Sequence, residues 1–92
     1  MIKQITKHKY NDIRNKNNNL ECIVDNGKCI WINKIKKTYY LYLSCECSKD
    51  DVFISTDIKE LITFTKNTNA LTGLPESEKD YFYKACKKKG LL

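Results

Sequence analysis

The run from Thr38 to Cys47 alternates Tyr39, Leu41 and Leu43 against Tyr40, Tyr42 and Ser44. A two-residue period held over that length fits a β-strand and breaks the 3.6-residue period of a helix. A strand must pair with another, and the sequence just before this one supplies a partner pair. Asn26-Gly27 stands between two apolar runs, the strongest short-range signal for a hairpin. A two-residue turn there pairs Asp25 with Lys28, Val24 with Cys29, Ile23 with Ile30 and Cys22 with Trp31. Leu20, Cys22, Val24, Cys29 and Trp31 then share one face, and Glu21, Ile23, Asp25, Lys28, Ile30 and Ile32 the other. The lysine-rich stretch Lys34 to Lys37 turns the chain from this hairpin into the Thr38 strand. After a polar turn at Ser48 to Asp51, Val52 to Ser55 adds a fourth short strand.

Helical signals flank this meander. Ile2, Ile5, Tyr10 and Ile13 fall within one arc of a helical wheel, which favours a short N-terminal helix, and the asparagine-rich run 15–19 ends it in a loop. Asp57 three residues before Glu60 resembles a capping box, with Ile58, Leu61, Ile62 and Thr65 on one face of the helix that follows. Pro75 suits the first position of a last helix. Its acids Glu76, Glu78 and Asp80 come early, its lysines Lys84 and Lys87 to Lys89 come late, and Gly90 suits a left-handed cap. Its buried face is expected to carry Tyr81, Phe82, Ala85 and Cys86, with Asp80 and Lys84 paired outward. The expected fold is therefore α+β: a three- to four-stranded antiparallel β-meander with two C-terminal helices and a short N-terminal helix. At 92 residues it is expected to form one small domain, 1–92.

No apolar run approaches the roughly 20 residues of a membrane span, and the first residues lack the apolar stretch of a secretory signal, so a cytoplasmic protein is expected, with no membrane partner. The net charge of +6 invites a nucleic-acid reading. Yet 16 of the 17 basic residues are Lys, and abundant Lys, Asn, Ile and Tyr with scarce Ala, Gly, Pro and Arg is the mark of AT-rich codons. A surface that reads phosphate and guanine favours Arg, and Arg14 is the only one here.

The five cysteines suit a core better than a framework. Cys22 and Cys29 would be diagonal neighbours in the expected hairpin, roughly 7–8 Å apart and beyond easy bonding reach. Cys45 and Cys47 share a face with the apolar residues of their strand, and no Cys-x2–4-Cys knuckle marks zinc. Reduced thiols and no metal are expected, with a thiol or metal sensor as the weakest of three functional readings. His8 has no nucleophile or base beside it, Asp50-Asp51 lack calcium-loop spacing, and Gly27, Gly73 and Gly90 are isolated rather than a phosphate loop. No catalytic residue, no cofactor and no enzyme activity are expected.

What remains is surface. Tyr40 and Tyr42 alternate away from the apolar face of their strand, close to Lys34, Lys36 and Lys37, a set that suits either a protein interface or base stacking with phosphate contacts. The alternative is that helices cover this face as well, making the tyrosines core. A double-stranded-RNA-binding layout is not supported, because the entry to the last helix, Pro75-Glu76-Ser77-Glu78, is acidic. Short AT-biased chains without motifs are common among accessory proteins of phages and other mobile elements. By that analogy of size and composition alone, the leading expectation is an inhibitor of anti-CRISPR type that docks on a nucleic-acid-handling host protein or complex through Lys34, Lys36, Lys37, Tyr40 and Tyr42. The rival is a direct nucleic-acid-binding module.

Overall fold

The structure is a computed structural model that describes residues 1–17, 19–25, 29–43, 51–68, 70, 71 and 73–92. In chain order it contains β1 (Lys3–Thr6), α1 (Lys7–Asn15), β2 (Leu20–Asp25), β3 (Ile30–Ile35), β4 (Thr38–Leu43), β5 (Asp51–Ser55), α2 (Ile58–Asn67) and α3 (Glu76–Lys88). The strands form one antiparallel sheet in the order β1-β5-β4-β3-β2. The α+β class, the antiparallel meander and the N-terminal and two C-terminal helices agree with the sequence, but among the described residues the sheet has five strands.

The added strand is β1, which lies in the segment expected to be wholly helical. It pairs with β5, Ile5 standing opposite Val52. Four residues are too few to show a period, and the partner lies nearly fifty residues away, so no local signal marks it. Thr6 ends the strand and begins the helix: its hydroxyl accepts from the Lys9 backbone N–H at 3.1 Å, the usual N-cap bond. Helix α1 then carries the chain to the opposite edge, where β2 begins.

The β2–β3 register also differs from expectation. Asp25 faces Trp31, Val24 faces Ile32, Cys22 faces Asn33 and Leu20 faces Ile35. Five residues therefore separate Asp25 from its partner, where the expected register had two; the Asn26-Gly27 turn lies outside the described residues. A bulge between Cys22 and Val24 sets Ile23 out of register, and such an extra residue exchanges the faces on either side of it. Val24 joins Ile30 and Ile32 on one face, while Leu20, Cys22 and Asp25 join Trp31, Asn33 and Ile35 on the other. Lys89 donates from Nζ to the displaced Ile23 carbonyl at 2.5 Å.

Both faces of the sheet are covered. On one, Val24, Ile30, Ile32, Leu41, Leu43 and Phe53 pack against Leu61 and Ile62 of α2 and Phe82 and Cys86 of α3. On the other, Tyr10 of α1 packs against Ile35, Tyr40 and Val52. Asp57 caps α2 as expected, its carboxylate accepting from the backbone N–H groups of Lys59 and Glu60. Gly90 has φ +75°, and Leu91 N–H to Cys86 O (2.9 Å) with Gly90 N–H to Lys87 O (3.0 Å) closes α3 in a Schellman motif. Pro75 occupies the cap rather than the first helical turn of α3. Tyr81 is not part of the buried face of α3: it is 59 % exposed. The α3 ion pair among the described residues is Lys79–Glu76 at 2.9 Å rather than Asp80–Lys84.

Cys29 is disulfide-bonded, with a partner outside the described residues, whereas Cys22 and Cys86 are free. The expectation of reduced thiols therefore fails at Cys29. The diagonal argument bore only on a Cys22–Cys29 bond, and Cys22 is indeed free; it left Cys29 able to bond another cysteine. The expected end of the β4 strand at Cys45 and Cys47, and the turn starting at Ser48, lie outside the described residues.

Candidate functional site

Among the described residues, two helices cover one face of the sheet and α1 alone covers the other. Nine helical residues span about 14 Å, whereas five strands span about 19 Å from edge to edge. One short helix cannot close that face, and among the described residues the β2–β3 end stays open. There a hollow of about 430 Å³ is lined by Arg14 of α1, Leu20, Cys22 and Asp25 of β2, Trp31 and Asn33 of β3, and Tyr42 of β4.

Its floor is aromatic. Tyr10, Tyr42 and Trp31 form a row of stacked rings, with centroids 5.4 Å apart for Tyr10–Tyr42 and 5.7 Å for Trp31–Tyr42. Tyr40 tilts against Tyr10 at 5.5 Å. The row ends at Trp31, opposite Asp25. Lys7 places its ammonium 5.4 Å from the Tyr42 ring centroid, within cation–π range. The Tyr10 hydroxyl, fully buried, accepts from Asn33 Nδ2 at 2.6 Å and also meets Arg14. Burial raises the Tyr10 pKa despite the lowering influence of Asn33 and Arg14. This contact ties Arg14 to the inner edge of the hollow. Arg14 and Asp25 thus give the rim one charge of each sign.

The Cys22 thiol opens into the hollow, but burial and the neighbouring Asp25 carboxylate raise its pKa, with Lys89 opposing them. A raised pKa lowers the thiolate fraction at neutral pH, so this is not the environment of an activated nucleophile. His8 is 90 % exposed with Asp12 at 3.8 Å one turn away, a solvated pair rather than a catalytic one. Among the described residues, no three His, Cys, Asp or Glu side chains gather as a metal site, and no helix is long and apolar enough to cross a membrane.

The five residues expected to form one patch are separated. Tyr40 is 8 % exposed beneath α1, in the role of core that the sequence left open. Tyr42 alone lines the hollow. Lys34 lies on the opposite face, its ammonium 5.4 Å from the Tyr39 ring centroid. Lys36 and Lys37 form the exposed two-residue turn between β3 and β4, about 16 Å along the strand from Tyr42. Trp31 and Arg14 were not expected here. Their rarity in the composition, one of each, was the only signal available. No family model matches this chain, and neither does any curated protein or solved structure.

Proposed function

We propose that this protein acts by binding rather than by catalysis, with its contact centre at the hollow of Arg14, Trp31 and Tyr42. The observation that carries the reading is that the chain's one Trp and one Arg line the same open hollow as a half-buried Tyr. Trp, Tyr and Arg are the residues enriched where truncation costs an interface most of its binding energy. The Trp31–Tyr42 pair offers rigid apolar area, and Arg14 and Asp25 fix the orientation of an incoming side chain through charge.

The partner is a protein or nucleoprotein. Size and composition favour a nucleic-acid-handling host protein or complex, which this domain would occlude as an inhibitor encoded by a phage or mobile element. A direct nucleic-acid module is the second reading, favoured by the Lys7 ammonium over Tyr42, since bases stack on exposed rings while nearby lysines meet phosphates. Parallel affinity capture from the native host with the wild-type chain and Trp31→Ala tests the first reading. A protein retained by the wild type and lost from Trp31→Ala supports it. Nucleic acid alone on both supports instead would overturn it.

A further inference from the structure

We propose that the outer face of α3, where it meets the end of β2, is a second contact surface that docks an extended acidic segment of a polypeptide. It borders the Trp31 hollow at the β2 edge, where the two share Asp25, and is otherwise built from α3.

A cavity of about 370 Å³ is bounded here by Asp25, Tyr81, Lys84, Ala85, Lys88 and Lys89. Tyr81 is the one aromatic side chain among the exposed large hydrophobics of the described residues, at 59 %. Helix-dipole compensation explains lysines in the last turn of α3, but Lys84 stands a full turn earlier. Among the described residues Lys84 and Lys88 have no carboxylate partner, and as an i, i+4 pair of like charge they repel one another. Lys89 is positioned by its bond to the Ile23 carbonyl, and an ammonium has three donors, so two remain for a ligand. The surface therefore presents three lysines against one carboxylate, Asp25, around an exposed ring, an excess of positive charge that an anionic ligand with an apolar side chain would relieve.

Spacing and charge select a polypeptide. Side chains at i and i+4 of a helix stand about 5–6 Å apart, close to the roughly 6.6 Å between alternate residues of an extended strand. A strand lying along α3 can therefore set one carboxylate on Lys84, the next alternate one on Lys88, and an apolar side chain on Tyr81 and Ala85. A nucleic-acid backbone carries a charge at every step and would bring phosphates against Asp25, whereas a polypeptide can leave that position neutral.

The test is an NMR titration of the ¹⁵N-labelled protein with a synthetic peptide of repeating Glu-Ser bearing a leucine at each end. We expect saturable shifts at Tyr81, Lys84, Ala85 and Lys88, and a loss of affinity of about tenfold or more in Lys84→Glu combined with Lys88→Glu. Both positions are exposed, so the fold should be retained. Trp31→Ala should bind the peptide unchanged. The proposal is overturned by any of four results: no shifts, equal binding of the same peptide with Gln for Glu, loss of binding in Trp31→Ala, or tighter binding of a single-stranded oligonucleotide to this face.

Discussion

Replacing Tyr10 by Phe tests whether α1 closes over the sheet through a specific polar contact. Phe keeps the ring, and with it the stacking on Tyr42 and the tilt against Tyr40, and removes only the hydroxyl. That hydroxyl accepts a 2.6 Å bond from Asn33, and the two residues are 0 % and 8 % exposed. A satisfied hydrogen bond contributes about 1 kcal/mol net, but a buried donor left unpaired costs about 1–3 kcal/mol. Asn33 is only 8 % exposed although it borders the hollow, so Tyr10→Phe should cost about 1–2 kcal/mol, a large share of the ~5–15 kcal/mol total of a domain. Asn33→Leu removes the donor instead and leaves the hydroxyl to Arg14. The double variant loses the Tyr10–Asn33 bond only once, so its cost should fall below the sum of the singles by about 1 kcal/mol. Urea melts with unchanged m-values provide the measurement. A Tyr10→Phe loss below about 0.5 kcal/mol, or strictly additive singles, would refute the reasoning, because a site that loses so little is one where α1 is not closed over Asn33.

Leu43→Ala should cost about 2–4 kcal/mol in the same melts, since Leu43 is 2 % exposed in the α2–α3 core; Lys87→Ala should leave stability within about 0.5 kcal/mol. Lys36 has φ +58° in the β3–β4 turn, a region that costs a non-glycine residue about 1–2 kcal/mol and that Asn enters more readily, so Lys36→Asn should raise the denaturation midpoint. Burial pushes the Cys86 thiol up from its ordinary value of 9.0 to about 11. The folded state then holds this proton more tightly than the unfolded state, so its contribution is complete below pH 9 and is lost as pH rises toward about 11, on the order of 2 kcal/mol in all. Stability against pH should fall across that window, and the fall should be smaller in Cys86→Ala measured against its own neutral-pH value.

The elements that the sequence made legible are those whose signals are local. Asp57 before Glu60 fixed the start of α2, Gly90 fixed the end of α3, and the alternation of Tyr39, Leu41 and Leu43 placed β4 with its apolar face correctly oriented. What escaped depends on contacts distant in the chain. β1 exists because β5 offers it an edge, and the faces of β2 are set by a bulge at Ile23 whose carbonyl is taken by Lys89, 66 positions away. The candidate site followed the same rule. Tyr42 was named from its strand parity, but parity could not show that α1 buries Tyr40, nor that a helix residue, Arg14, and a strand residue, Trp31, would line one hollow. Lys34 was grouped with Tyr40 and Tyr42 by proximity in sequence, although its parity in β3 sends it to the opposite face.

The central claim is that the Arg14–Trp31–Tyr42 hollow receives a protein. Trp31 is the only tryptophan, so its fluorescence reports on that hollow alone. The captured host protein and, separately, single- and double-stranded nucleic acid should be titrated against it from about 50 to 200 mM salt, a range over which a binder of several phosphates loses orders of magnitude in affinity. The expected result is a saturable change in Trp31 emission with the protein that persists at the upper salt concentration and is weakened in Arg14→Ala by more than about 2 kcal/mol, with nucleic acid giving only a weak response that salt removes. A saturable nucleic-acid response that survives high salt, with Trp31 emission unmoved by the protein, would contradict it.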